Sequence, residues 1–207
     1  ITLNYFPFRN QINSLNWKYS LLTEPYFFYP FKFNFTKGIH PKRDFFIRGN
    51  AIPSHFKKIV YGNTNTSFFL NLSNYPMIRN SNIYYLFKNI DKENFAFSDK
   101  CRSLSINNFG GSLSLAITLS IYMGFKEIIL VGCDYTHLPP RNRHWYEKGK
   151  GADDSLQDYS KNLFDVVKDF VDIKTITLFE SSAVLPSITY EEHTGCKLSF
   201  KENQELT

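Results

Sequence analysis

Residues 110–135 read GGSLSLAITLSIYMGFKEIILVGCDY, and this stretch decides the fold. Two glycines and Ser112 open an apolar run, Gly124 interrupts it, and residues 128–131 form a second, entirely apolar run. The first run has the length of a helix that is apolar nearly all round, and the second that of a strand buried on both faces. A helix followed by such a strand is the unit of a parallel α/β sheet. The sequence therefore predicts an α/β fold with a mostly parallel sheet and helices on both faces.

Further apolar runs extend this prediction along the chain. Strands are expected at residues 1–5, 19–23, 67–72, 83–87 and 173–179, and a second helix at residues 155–171. Residues 36–66 are polar, with glycine, proline and asparagine around one apolar piece at residues 45–47, and they are assigned no helix or strand.

The chain is predicted to form a single domain over residues 1–190, followed by a polar tail over residues 191–207. Residues 136–154 contain prolines, glycines and many charges and predict a long, lid-like loop, since long loops in compact domains are usually functional or disordered. No run reaches the ~18 apolar residues of a membrane span, so no transmembrane segment is expected.

Charge and cysteine content exclude several classes of protein. The net charge of +5 is spread over small basic groups, which argues against nucleic-acid binding. Cys101, Cys133 and Cys196 are widely spaced and form no CxxC pair, which indicates a reducing compartment without structural zinc. The expected location is the cytoplasm, with peripheral association at the inner face of the membrane left open. The oligomeric state is not predicted.

Two points of the deciding stretch carry candidate binding residues. Gly110, Gly111 and Ser112 open the helix, where free amides and the helix dipole attract an anion. The alternative is a tight turn in which Ser112 caps the helix. Asp134 and Tyr135 follow the strand, and ligands of parallel sheets sit at the carboxyl ends of strands. A carboxylate there can orient a sugar hydroxyl, hold a metal, or cap a loop.

The predicted loop carries the best candidate for proton transfer. His144 is a candidate general acid or base because imidazole titrates near neutrality. A surface histidine without a role is the alternative. Trp145 and Tyr146 can form a stacking wall for a base or sugar, or can pin the loop to the core. No HxH or HExxH pattern occurs, so no metal is expected.

The same residues resemble a known superfamily. Residues 110–116, GGSLSLA, and residues 124–135, GFKEIILVGCDY, are similar to the core of the bacterial CMP-sialic-acid-dependent sialyltransferases. They also resemble the MptE-like group, which includes motility-accessory-factor glycosyltransferases and archaeal hydroxymethylpterin diphosphokinases. Residues 4–6 and 19–28 look like the second and third strands of this superfamily. The resemblance implies a Rossmann-like nucleotide-binding domain with a lid.

Site residues follow from the resemblance position by position. It implies that Asn4 and Glu24 face the nucleotide or donor sugar, and that Ser112 contacts the phosphate or the donor carboxylate. Gly132 and Asp134 are expected to line the cytidine pocket. The expected catalytic residues are His144, Tyr146 and Asp134, and the expected ligand-binding residues are Asn4, Glu24, Gly110, Gly111, Ser112, Gly132 and Tyr135.

The resemblance implies a metal-independent transferase that moves a sialic-acid-like sugar from a CMP-activated donor to a cell-surface glycan acceptor. The alternatives are a diphosphokinase that uses ATP and Mg²⁺, and a non-catalytic nucleotide-binding remnant. Phe109 replaces an arginine of the sialyltransferases, and residues 156–158 lack their histidine, which favours a relative with another donor or acceptor. The superfamily's first strand and its Gly-Asn-Gly-Pro-Ser loop would precede Ile1, so the chain is expected to lack them.

Overall fold

The computed structural model describes the backbone in nine segments. They are residues 1–3, 15–24, 27–29, 51–89, 105–107, 111–133, 164–165, 167–177 and 185–197. The chain divides into two compact units, and among these residues the first unit runs to Tyr122 and the second begins at Met123. The predicted single domain over residues 1–190 stays a prediction.

The first unit contains a parallel sheet. Within the described residues its five strands lie in chain order, and each pairs in parallel with the next. They are β1 (Thr2–Leu3), β2 (Tyr19–Leu22), β3 (Ser67–Asn71), β4 (Ile83–Asn89) and β5 (Ser105–Asn107). Phe and Leu fill the middle of β3, which is buried there on both faces, as expected of a central strand of a parallel sheet. The predicted α/β fold with parallel strands is confirmed.

One face of this sheet carries an aromatic core together with a helix that the sequence analysis missed. Helix α1 (Ala51–Gly62) places Phe56 and Val60, four residues apart, on one side, and both are fully buried. The ring of Phe56 lies 4.7 Å from that of Phe27. Pro53 is compatible with this helix because it falls in the first turn, where the amides have no partner within the helix. The buried members of the cluster are Leu22, Phe27, Phe28, Phe56, Val60, Phe68, Leu70, Ile78 and Ile83.

Helix α2 (Gly111–Tyr122) is the helix predicted from the deciding stretch. It contacts β1, β2 and β5, and every side chain from Ser114 to Ser120 is buried. The hydroxyls of Thr118 and Ser120 donate to carbonyls one turn back, so their burial leaves no donor unsatisfied. Gly124 follows with a φ of 86°, which makes it the predicted left-handed stop.

The second unit contains a smaller parallel sheet. Within the described residues β6 (Glu127–Val131), β7 (Asp172–Thr177) and β8 (Ser187–Thr189) lie in that order. Helix α3 (Tyr190–Thr194) follows β8 and begins with a capping box between Thr189 and Glu192. This short helix crosses residue 191, where the polar tail was predicted to begin.

The burial of β6 differs from the prediction. The sequence predicts a strand buried on both faces, but among its residues only Leu130 is buried and Val131 is 70% exposed. Within the described part of the chain β6 pairs with a strand on one side only. Of the predicted helix at residues 155–171, the structure describes helical backbone at Phe164, Asp165 and Val167.

The predicted lid, residues 136–154, lies outside the described residues. None of the helices described is both long enough and apolar enough to traverse a lipid bilayer.

Candidate functional site

The carboxyl edge of the first sheet is where polar side chains gather. Thr23 and Glu24 follow β2 directly, Asn71 ends β3, and a single 3₁₀ turn (Leu72–Asn74) comes next. The chain becomes polar here because the apolar run of each strand ends where the strand leaves the core. In parallel sheets the ligand crevice lies outside this edge, so these residues form the candidate site.

The first turn of α2 meets this edge through two hydroxyl groups. The Oγ1 atom of Thr23 lies 2.8 Å from the Oγ atom of Ser112, and either hydroxyl can donate. Thr23 is buried and Ser112 is half-buried. The contact therefore places the amino end of a long helix directly against the carboxyl end of β2. Amides of a first helical turn have no acceptor within their helix, and together with the helix dipole they favour an anion.

A small depression lies beside this contact. Its cavity volume is about 10 Å³, room for roughly one water molecule. It is lined by Leu21, Thr23, Leu70, Asn71, Leu86 and Leu115. Ligand pockets for whole organic molecules usually measure about 300–1,000 Å³, so this depression does not enclose a ligand by itself. A ligand at this edge must extend onto other parts of the chain.

Hydrogen bonds fix the ends of β2 and β3 next to each other. The side-chain amide of Asn74 donates to the backbone carbonyl oxygens of Glu24, at 3.0 Å, and of Asn71, at 3.4 Å. The hydroxyl of Tyr29 donates to the carbonyl of Ser73 at 2.6 Å. The side chain of Asn71 accepts from the amide of Ser73 and so caps the 3₁₀ turn. This wall of the depression is thus held by side-chain hydrogen bonds to the backbone at or just after the two strand ends.

The chemistry available at this edge is recognition by hydrogen bonds. Glu24 is half-buried, and a carboxylate at the end of a strand can accept hydrogen bonds from sugar hydroxyls. One of the Thr23 and Ser112 hydroxyls donates to the other, so while this contact stands at most one of them can donate to a phosphate or carboxylate oxygen. The described part of the chain contains no group of three or more His, Cys, Asp or Glu side chains able to hold a metal ion.

Gly132, another predicted site residue, lies in the second unit. It follows β6 with a φ of 68°, a left-handed conformation that favours glycine. An added Cβ there would meet no atom of the described residues within 4 Å, so among them it is the turn that favours glycine.

The structure describes some of the predicted site residues and not others. Glu24, Gly111 and Ser112 belong to the first unit, where Glu24 follows β2 and the other two begin α2. Six predicted site residues lie outside the described residues, namely Asn4, Gly110, Asp134, Tyr135, His144 and Tyr146.

Sequence reasoning missed Thr23, Asn71 and Asn74 as site residues. A usable signal was present, because each is a polar residue at or just after the end of an apolar strand. The rule that was applied to Asp134 and Tyr135 applies equally to Thr23 and Asn71.

Comparison with known proteins identifies no relative: no family model, no curated protein and no solved structure matches this chain.

Proposed function

We propose that this protein is a glycosyltransferase-like α/β protein that binds a nucleotide-activated sugar, with CMP as the preferred nucleotide, at the carboxyl edge of the first sheet. The observation that carries the proposal is the 2.8 Å contact between Thr23 Oγ1 and Ser112 Oγ. It sets the amino end of α2, which favours a phosphate, beside a strand end whose polar groups suit a sugar.

The proposed reaction is displacement at the anomeric carbon of the donor sugar without a metal ion. His144 takes the proton of the acceptor hydroxyl, and Tyr146, with the amides of Gly111 and Ser112, stabilises the departing phosphate. Asp134 is proposed to line the nucleotide pocket. For His144, Tyr146 and Asp134 the support comes from the sequence and its resemblance alone. Association with the inner face of the membrane, where a glycan acceptor would be found, belongs to the same proposal.

The first test is a thermal-shift screen with CMP, CDP, UDP, GDP and ATP, each with and without Mg²⁺. A nucleotide present at 100 times its Kd adds about 2.7 kcal/mol of stability, which is easily measured. Stabilisation by CMP without metal is expected. Stabilisation by ATP only in the presence of Mg²⁺ would point instead to a diphosphokinase, and no response to any nucleotide would contradict the proposal.

The second test separates the phosphate site from the stability of α2. In Ser112→Asp the new carboxylate interacts favourably with the helix dipole, so stability is expected to rise by about 0.3–1 kcal/mol. The same charge repels a phosphate, so the affinity for CMP is expected to fall at least about tenfold, a penalty of about 1.4 kcal/mol. Stability is followed by urea denaturation and affinity by calorimetry.

The matched control is Ser112→Asn, because asparagine has nearly the same shape as aspartate and carries no charge. It is expected to keep most of the affinity. Equal affinities of the Asp and Asn variants for CMP would place the phosphate elsewhere. For catalysis the variant is His144→Ala, and unchanged turnover on a working donor would remove His144 from the mechanism.

A further inference from the structure

Asn74 is a fully buried polar residue whose hydrogen bonds are only half satisfied. Its exposed fraction is 0%, and its side-chain nitrogen donates to Glu24 and Asn71. Its side-chain oxygen, in contrast, has no hydrogen-bond partner among the described residues. An unsatisfied buried polar atom destabilises a fold, and its presence calls for a physical reason.

The position of the two acceptors supplies that reason. Glu24 directly follows Thr23, and Asn71 itself lines the depression with Thr23. By donating to both carbonyls, Asn74 sets the distance between the two strand ends that form one wall of the depression. These bonds lie beyond the last pair of the β2–β3 register, which joins Leu22 and Leu70.

We propose that Asn74 is a positioning residue for the ligand site, which holds the ends of β2 and β3 at the separation that the ligand requires. The inference rests on the proposed nucleotide-binding function and deepens it. Asn74 acts through the backbone of Glu24 and Asn71. Tyr29 also holds this turn, through its hydrogen bond to the carbonyl of Ser73.

The chain offers a matched control in Asn82. Its side-chain nitrogen donates to the carbonyls of Val60, Asn63 and Thr66, and its side-chain oxygen also has no partner among the described residues. These acceptors lie at the end of α1 and just before β3, which is the opposite edge of the sheet from the depression. Asn82 thus makes the same kind of contact away from the site.

The experiment compares Asn74→Asp with Asn82→Asp. Each substitution keeps the shape of the side chain and replaces the donor by an acceptor that repels the carbonyls. Both variants are expected to be less stable in urea, because each loses the two donor hydrogens of its side-chain amide. Affinity for CMP is measured by calorimetry at a temperature where both variants are folded.

The expected result is a CMP affinity about tenfold weaker in Asn74→Asp and unchanged in Asn82→Asp. If Asn74 only stabilised the fold, the CMP affinities of Asn74→Asp and Asn82→Asp would both fall or would both stay unchanged. If Asn74→Asp does not fold, Asn74→Ser replaces it, since serine keeps a donor that is too short to reach both carbonyls. Tyr29→Phe removes only the hydrogen bond to Ser73. It is therefore expected to weaken CMP binding less than Asn74→Asp or Asn74→Ser.

The failure of this inference differs from the failure of the proposed function. If the wild-type chain binds CMP and the Asn74 variant binds it equally well, the inference is overturned and the function stands. If the wild-type chain binds none of the nucleotides tested, both are overturned.

Discussion

Strands β3 and β6, SFFLN and EIILV, each carry an apolar run, but their surroundings differ. In β3 the central residues Phe68 and Leu70 are fully buried, whereas in β6 Val131 is 70% exposed. Among the described residues β3 lies between β2 and β4, while β6 pairs only with β7. The comparison teaches that an apolar run predicts a strand, and that burial depends on neighbours that the run itself does not specify.

The largest expected effect lies in the aromatic core behind β3. Phe56→Ala removes a fully buried ring that contacts Phe27 and Phe28, and is expected to cost about 3–5 kcal/mol of unfolding free energy. Unfolding in urea is followed by the fluorescence of Trp17, whose ring packs edge-on against Phe68 at 5.6 Å. A Trp145→Phe background makes Trp17 the only tryptophan that reports.

The control for Phe56 is Tyr61→Ala on the same helix. Tyr61 is 49% exposed, so its removal is expected to change stability by less than about 1 kcal/mol. Similar losses in the two variants would show that α1 does not bury its Phe56 side against the sheet.

A smaller effect is expected in the second unit. Leu130 is 6% exposed, so Leu130→Ala is expected to cost about 2 kcal/mol, the low end for such substitutions, because the strand has a neighbour on one side only among the described residues. Val131→Ala, at a largely exposed position, is expected to cost no more than about 0.5 kcal/mol. Hydrogen exchange of the amides of β7 measures both effects locally. A cost at Val131 equal to that at Leu130 would mean that both faces of β6 are covered in solution.

The smallest expected effect concerns pH and the start of α3. Hydrogen bonds from the backbone amide and the hydroxyl of Thr189 hold the pKa of Glu192 below its ordinary value of 4.5. The unfolded chain therefore binds this proton more readily than the folded chain. The stabilisation is present above the ordinary pKa and is lost as the pH falls through the folded pKa.

The measurement for Glu192 is the stability of the second unit at neutral and acidic pH in wild type and in Glu192→Gln. The variant is expected to lose less stability on acidification than the wild type. Identical losses would show that the capping box does not form in solution.

The sequence predicted best those helices and strands whose formation depends on residues close together in the chain. The helix from the deciding stretch was expected near residues 110–124 and is observed at Gly111–Tyr122, with Gly124 as its stop. Strands β2, β3 and β4 were also predicted within two residues of their observed bounds. Helix α1 was missed because prolines and asparagines around it were given more weight than the spacing of Phe56, Ile59 and Val60. Strands of three residues, such as β5 and β8, carry too little pattern to be found.

The candidate site was predicted only in part. Ser112 was identified because a glycine-rich helix start is visible in one short stretch of sequence. Its partner Thr23 was not, since the two are 89 residues apart and only the sheet brings them together. Asn74 was not identified either, since its bond to Glu24 spans 50 residues. Contacts over such distances depend on topology, which a single sequence does not state.

The order of the strands in the first sheet has a consequence for biosynthesis. From β2 to β5, each described strand pairs with the strand that precedes it in the chain. The ribosome synthesises these strands in the same order, so each new strand can pair with a strand that was synthesised before it. The sheet can grow outward in one direction as translation proceeds, and within this order no segment has to be threaded between two that are already joined.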